Sequence, residues 1–423
     1  MAQLTDDCFA FGGPLLTVDD VERLITERVS AVTETETIGL TVALGRVLAA
    51  DLIAGIDLPS FDNSAVDGYA VAHSALNASG ETRLVIAGRI LAGHGPSREF
   101  KLGEAVRIFT GAPMPVGADT VFMQEDVRVE ANDVVVPSGL KFGANRRLKG
   151  EDVKAGQAVL PAGCRFGPQH IAMASAVGET HVTVRRRVRV ALFSTGDEIV
   201  APGMPLKGAA VYDANRPLLA AMAQKLGADV SDLGILADDE VTLSEALKRA
   251  AAHHDLVVTS GGVSTGEADY VRTAVEKIGN LVFWRTAIKP GRPVAMGVLP
   301  GLAGHSAAFV GLPGNPVAAF VTFARIVRPL ALRLSGALPE PLLAFPVRAA
   351  FAYRKKSGRR EYVRVSLHRA ADGVIEARKF AQDGAGVISS MTATDGLVEL
   401  PEDMTSIDAG ATVGFLSYAA FIG

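Results

Sequence analysis

Cysteine is nearly missing from this chain: only Cys8 and Cys164 occur in 423 residues, and neither stands at metal-binding spacing from a histidine. That excludes a disulfide framework and a zinc site and points to a reducing, cytoplasmic setting. No uninterrupted apolar run reaches the ~18 residues of a membrane-spanning helix. The richest stretch, 307–323, is interrupted by Gly311, Pro313, Gly314 and Pro316. An excess of one charge is lacking too, since 42 Lys and Arg face 46 Asp and Glu for a net charge of -4. Global attraction to nucleic acid or to an anionic membrane is thereby excluded. The opening MAQLTDDCFAFGG is acidic and short of apolar residues, unlike a secretory signal. Two local basic runs, Arg185–Arg187 and RKKSGRR at 354–360, read as solvated strand ends or loops.

What is present is a globular composition, 48% hydrophobic and 21% charged, in a chain long enough for roughly two to four domains. Thr17 followed by VDDVERLITERV predicts an N-capped amphipathic helix. From Ser60 to Gly150 short β-type runs alternate with glycine and proline, predicting an inserted β-rich domain at 60–150. The flanks, 1–59 and 151–186, are assigned to one N-terminal domain in two segments. Between 187 and 336 strand candidates (VRVALFS, DVSDLGIL, LVVTS, LVFWRTA, PVAMGV, AAFVGL) alternate with helical patterns, among them 216–226, 240–252, 268–278 and 316–334. That alternation predicts an α/β domain with a parallel-type sheet, whose ligands bind beyond the carboxyl ends of the strands. GALPEP reads as a linker, and 337–423 as a C-terminal β domain with a hairpin turn at Asp372-Gly373.

The chemistry concentrates in loops that follow the α/β strands. DLVVTSGGVSTGEADY, 255–270, runs from a strand through Gly261 and Gly262 into Ser264, Thr265, Gly266 and a helix start. Backbone N–H groups in such a loop suit an anion. Its carboxylates, Glu267 and Asp269, suit a hard cation such as Mg²⁺ between protein and phosphate. STGDE (194–198) and GLPGNP (311–316) belong to the same sheet edge. Asp238 and Asp239 follow a further strand and read either as helix caps or as Mg²⁺ carboxylates shared with Asp269 and Glu198. IKPGRP offers Lys289 and Arg292 on a constrained turn, with Arg285 just upstream, as oxyanion-binding cations. In the first half, PSFDNSAVDGYAV, FTGAPMPVGADTV and NRRLKGEDV are constrained polar loops carrying Asp67, Thr110 and Asp152. By the residues alone this is a metal-assisted phosphate or oxyanion enzyme.

Taken together, FDNSAVDGYA, TGAPMPVGAD, QED, GEDV, VRVALFSTGDE, YDANR, SGGVSTGEADY, IKPGRP and GLPGNP resemble the molybdopterin molybdenumtransferase family, the bacterial MoeA proteins and the gephyrin E domain. The motifs occur in family order and span about residues 17–420. The resemblance implies a multidomain fold of α/β and β type, an elongated four-domain chain with a central α/β molybdopterin-binding domain and smaller β-rich domains. It implies a homodimer, and the insertion of molybdate into adenylylated molybdopterin with Mg²⁺-assisted release of AMP. Transient contacts with a molybdopterin adenylyltransferase and with apo molybdoenzymes follow from that role, and an adenylyltransferase activity is the nearest rival reading. Carried over by motif, Asp67, Thr110, Asp152, Glu198, Asp238 and Asp269 would be catalytic, with Glu198, Asp238 and Asp269 the Mg²⁺ carboxylates. Ser260, Gly261, Gly262, Ser264, Arg285, Lys289, Arg292, Pro313 and Pro316 would bind substrate. Arg285 stands where some members carry lysine, and Ala385 where some relatives carry a polar residue.

Overall fold

The computed structural model describes residues 15–95, 99–262, 270–302 and 304–422. Its hydrogen-bonded strands group into four units. In the first, Thr35–Gly39 pairs antiparallel with His181–Arg185, and Leu52–Ile53 with Ala158–Leu160. Strands from before and after the inserted stretch therefore close on one another. Phe166, Leu40, Leu48 and Val184 form their shared core.

The inserted stretch folds into a six-stranded sheet in the order Thr120–Met123, Gly68–Val71, Glu104–Ile108, Thr82–Ile90, Asp133–Val136, Arg128–Glu130. Side chains alternate across its two faces with the period of two that a pleated strand imposes. Tyr69, Val71 and Phe122 fill one core, and Ala70, Ile108 and Val121 the other. Gly68 is required where strands cross closely, since a Cβ there would stand 1.8 Å from the carbonyl oxygen of Phe122.

The α/β unit carries a six-stranded sheet ordered Asp229–Leu236, Arg189–Thr195, Leu256–Ser260, Ser306–Leu312, Pro293–Pro300, Asn280–Arg285. The first four strands are parallel, whereas Pro293–Pro300 runs antiparallel to both neighbours. This corrects the wholly parallel-type expectation. The connections on either side of that strand are too short to hold the crossover helix that parallel neighbours need. Both faces are covered, as near-continuous apolar strands demand. Leu219 and Met222 of helix Asn215–Lys225 pack on Leu192 and Val258. Leu243 and Leu247 of helix Glu240–His253, with Val271 and Val275 of helix Tyr270–Ile278, cover Phe193 and Val257. The N-terminal helix Val18–Arg28 begins with the predicted cap, Thr17 Oγ1 accepting from the Asp20 N–H at 3.1 Å. Its buried Val21, Leu24 and Ile25 belong to the same core as Leu192 and Phe421. The single helix expected at 316–334 is instead Pro316–Thr322, a π-helical turn at Phe323–Val327, and Arg328–Ser335 closed by left-handed Gly336.

The last unit is a closed barrel of five strands. Arg360–Arg369 pairs with both Ile375–Lys379 and Gly396–Leu400, and the ring closes through Phe345–Ala349 and Thr412–Ser417. The short strand Ile288–Lys289 of the IKPGRP turn joins it, parallel to Arg360 and Glu361. The two basic runs expected in solvent each place an arginine in ion pairs, Arg186 between two units and Arg360 with two glutamates of the last one. Arg186 Nη1 and Nη2 donate to buried Asp255 at 2.9 and 3.1 Å, and Arg360 bridges Glu399 and Glu402 at 3.1 Å each. Among the described residues no helix is long and apolar enough to cross a membrane.

Candidate active site

Because four strands run parallel, Thr195, Leu236, Ser260 and Leu312 end on one edge of the sheet. Beyond that edge lies a cleft of about 570 Å³ lined by Ser194, Thr195, Glu198, Tyr212, Asn215 and Ser260, with Gly261, Asn315 and Pro316 beside them. Two of the three expected loops thus meet in one place with the described start of the third. Gly261 and Gly262 are both left-handed, at φ 87° and 64°. A Cβ on Gly262 would meet Val271 at 2.5 Å and Thr195 at 2.8 Å. The N–H of Gly261 donates to the carbonyl of Leu312 at 3.1 Å. It is therefore spent within the fold rather than left for an anion, as a free Gly-rich cradle would have it. Ser264 and Asp269 lie outside the described residues.

The acidic pair separates by role. Asp239 caps helix Glu240–His253, accepting from the Thr242 N–H at 2.9 Å. Half-buried Asp238 turns to the sheet edge and accepts from Thr195 Oγ1 at 3.1 Å. Burial raises its pKa above the ordinary carboxylate value, and the charges of Asp197, Glu198 and Asp239 add to that against the Thr195 hydrogen bond. Glu198 is exposed and folds back over Gly196, where a Cβ would lie 2.7 Å from its Oε2. Crowded carboxylates of this kind suit a cation between them. Among the described residues no group of three His, Cys, Asp or Glu is arranged to hold a metal ion.

The expected cations stand elsewhere. Lys289 lines a second pocket of about 260 Å³ with Tyr353, Glu361, Arg364, Lys379 and Ala385. Its Nζ donates to Glu361 Oε2 at 3.0 Å, and Tyr353 Oη donates to the same oxygen at 3.0 Å. Burial works against the Lys289 ammonium, but Glu361 and Tyr353 outweigh it and hold the pKa above its usual value. The turn is set by Thr286, whose N–H and Oγ1 both reach the Arg292 carbonyl, at 2.9 and 3.0 Å. Arg292 itself is exposed, and Arg285 ends the strand Asn280–Arg285. Pro313 is half-buried at the start of its loop, and Pro316 opens helix Pro316–Thr322. Arg364, Lys379, Tyr353 and Glu361 escaped sequence reasoning because they come from barrel strands and turns with no motif of their own.

The two pockets share a wall. Gly384 and Ala385 line the cation pocket, and Gly386 and Ile388 line the cleft. The Ala385 carbonyl accepts from the Val317 N–H at 3.0 Å, which pins this barrel segment to the start of helix Pro316–Thr322. Arg364 holds it from the other side, with Nη1 donating to the Gly384 carbonyl at 2.8 Å. A backbone carbonyl makes the contact at 385, so an alanine serves there.

The inserted sheet holds its own cluster. Asp67 Oδ1 accepts from both the N–H and Oγ1 of Thr110 at 2.8 Å. The backbone bond and then the hydroxyl hold its pKa below the ordinary carboxylate value. Arg107 lies 5.0 Å over the rings of Tyr69 and Phe109. Asp152 is exposed in the turn after Arg146–Arg147, where neighbouring Glu151 accepts from Arg147 Nε at 2.6 Å. Among the described residues no hydrogen bond or ion pair joins Asp67, Thr110 or Asp152 to Glu198 or Asp238.

Fold and site together define a multidomain α/β enzyme whose strand-end cleft carries carboxylates and whose neighbouring barrel pocket carries cations. Comparison with known proteins narrows that class. The MoeA N-terminal region (domain I and II) matches residues 16–178, a probable molybdopterin binding domain 191–333, and the MoeA C-terminal region (domain IV) 346–418. The chain belongs to the molybdopterin molybdenumtransferase (MoeA) family. The protein of that name from Haemophilus influenzae is 38% identical over 97% of this chain and 100% of its own. The one from Nostoc is 36% identical over 95% of this chain and 93% of its own. The crystal structure of the molybdopterin biosynthesis moeA protein from Pyrococcus horikoshii OT3 superimposes with a TM-score of 0.80 at 29% identity, covering 96% of this chain and 100% of that one.

Proposed function

We propose that this chain inserts molybdate into adenylylated molybdopterin and releases AMP. The observation that carries the reading is the shared wall: a carboxylate-lined cleft and a cation-lined pocket meet across 384–388. An oxyanion and a phosphoanhydride are both anionic, and this arrangement can meet them in two ways within one site, by cations directly and by carboxylates through a bound Mg²⁺. Lys289, Arg364 and Lys379 present positive charge suited to molybdate or to the pterin phosphate. Thr195, which lines the cleft, orients Asp238 at its edge through its hydroxyl.

The carboxylates present fit Mg²⁺, since burial and then the charges of Asp197, Glu198 and Asp239 raise the Asp238 pKa, a cost that a cation would relieve. Glu198 and Asp238, with Asp269, would hold the ion, which when bound neutralises charge on the anhydride. Water adds across the P–O–P link to give AMP and a pterin phosphate monoester. The two dithiolene thiols form bonds to molybdenum and pass their two protons to one molybdate oxygen, which leaves as water. Asp67 and Thr110, which among the described residues make no hydrogen bond or ion pair to Glu198 or Asp238, would reach the cleft from a second copy, making the functional unit a homodimer. A cytoplasmic location, where molybdopterin adenylyltransferase and apo molybdoenzymes would be met, accords with the scarcity of cysteine.

Supplying adenylylated molybdopterin, molybdate and Mg²⁺ and following AMP release and activation of an apo molybdoenzyme tests the reading. Absence of both with folded protein overturns it. A requirement for ATP with release of pyrophosphate would make the chain an adenylyltransferase instead.

A further inference from the structure

Two polar atoms on the floor of the cleft have no partner. Asn215 is 7% exposed and Ser194 2%, and Asn215 Oδ1 and Ser194 Oγ are both buried without a hydrogen bond. Both residues line the cleft. Buried polar groups left unpaired are uncommon and carry a desolvation cost, so a matched ligand gains by satisfying them.

The side chain of Asn215 cannot be turned over. Its Nδ2 donates to the Gly314 carbonyl at 2.7 Å and to Ser260 Oγ at 2.7 Å. A carbonyl only accepts, so the amide nitrogen faces Gly314 and the oxygen is the free atom. Asn215 thereby ties the end of one strand to the GLPGNP loop and leaves a pure acceptor beside Ser194, which sits in register with Ser260 on the adjacent strand. A phosphate or molybdate oxygen is also an acceptor and is repelled from such a position.

We propose that Ser194 Oγ and Asn215 Oδ1 read a neutral donor-bearing edge of the substrate, whose N–H or O–H donates to Asn215 Oδ1 while an adjacent oxygen or nitrogen accepts from the Ser194 hydroxyl. This rests on the transferase reading and assigns the cleft floor to a heterocycle or sugar, with the anionic groups left to the rim and the cation pocket. Two parts of the substrate carry that chemistry: the lactam edge of the pterin, and the hydroxyls of the adenylyl ribose. A cleft of about 570 Å³ has room for either, within the usual size of a small-molecule site.

Ser194→Ala is the clean probe, because its Oγ makes no bond within the fold and Asn215 keeps both of its ties. Equilibrium binding is measured for the wild-type chain and the variant with molybdopterin, with AMP and with inorganic phosphate, alongside the melting temperature. The expected result is a loss of roughly three- to tenfold in affinity for one organic probe, the worth of a single hydrogen bond. Phosphate binding stays unchanged, and the melting temperature does not fall, since an unpaired buried hydroxyl is removed. A loss with molybdopterin assigns the floor to the pterin edge, and a loss with AMP assigns it to the ribose. Unchanged affinity for both probes overturns the inference, as does an equal loss for phosphate. A wild-type chain that binds neither organic probe overturns the transferase reading, and the inference with it.

Discussion

Asp238 and Asp67 are carboxylates in opposite environments. The pKa of Asp238 is raised by burial and by three neighbouring carboxylates. Its folded state therefore binds a proton more tightly than the unfolded state. The favourable contribution is full below the ordinary Asp value of 3.8 and is lost as pH rises through the higher folded value. At neutral pH the ionised group costs stability unless a cation neutralises it. Asp238→Asn should raise the melting temperature by roughly 1–3 °C in chelator, and should abolish the further rise that Mg²⁺ gives the wild type. An equal Mg²⁺ response in both proteins would remove Asp238 from the metal site. Asp67 is held low by Thr110, so Thr110→Ala should let its pKa climb and move the acid limb of the activity profile to higher pH. The melting temperature should hardly change, because the site is exposed. At this scale sequence reading found Asn215 inside the YDANR motif but not the partners of its side chain. Asn215 opens helix Asn215–Lys225 and spends its amide on a strand end and on the GLPGNP loop. Helix-capping preference is local, but those partners lie 45 and 99 residues away.

Among the elements, the helical stretch from Pro316 to Ser335 links the site to the barrel. Its π-helical turn presents Arg325, which is 4% exposed and pairs with Glu399 of the barrel. The guanidinium also lies 5.3 Å from the ring of Tyr362. Removing one partner of a buried pair strands the other charge, whereas removing both does not. Arg325→Met should destabilise the protein by about 3–5 kcal/mol in chemical denaturation. Adding Glu399→Leu should recover only part of that loss, because Arg360 also pairs with Glu399 and would lose that partner. If the double variant is as weak as the sum of the two single ones, the pair is not coupled. Local sequence favours helix throughout this stretch, and nothing in a 3.6-residue period announces the extra residue of a π turn. The pairing of Ile288–Lys289 with the barrel was equally hidden, since a two-residue strand has too little pattern to read.

For the molecule as a whole, the inserted sheet and the strand-end cleft carry separate halves of the expected machinery. If the working site joins the inserted sheet of one copy to the cleft of another, two inactive variants should complement. Mixing Asp67→Asn and Asp238→Asn chains, with subunit exchange, should restore about one quarter of wild-type activity: half of the dimers are mixed, and each has one intact site. No recovery despite demonstrated exchange would place both halves within one chain. The arginine ties between units give such an assembly its frame. Burial acts against the Asp255 charge, yet Arg186 and Arg189 hold its pKa below the ordinary value, pinning the two-segment unit to the base of the sheet.

The amino-acid sequence by itself determined the strands, most helices and the loops of the α/β unit, because periodicity, caps and glycine positions act over a few residues. It also carried the family, through long motifs in order. Only the tertiary structure decided that Lys289 belongs to a barrel pocket and not to the carboxylate cleft, and that Asp238 meets Thr195 at the sheet edge while Asp239 caps a helix. The reversed strand, the closed barrel and the unpaired floor of the cleft were likewise beyond local reading. Each depends on which distant segments pack together, and side chains far apart in sequence acquire partners, burial and shifted pKa values only when the chain brings them into contact.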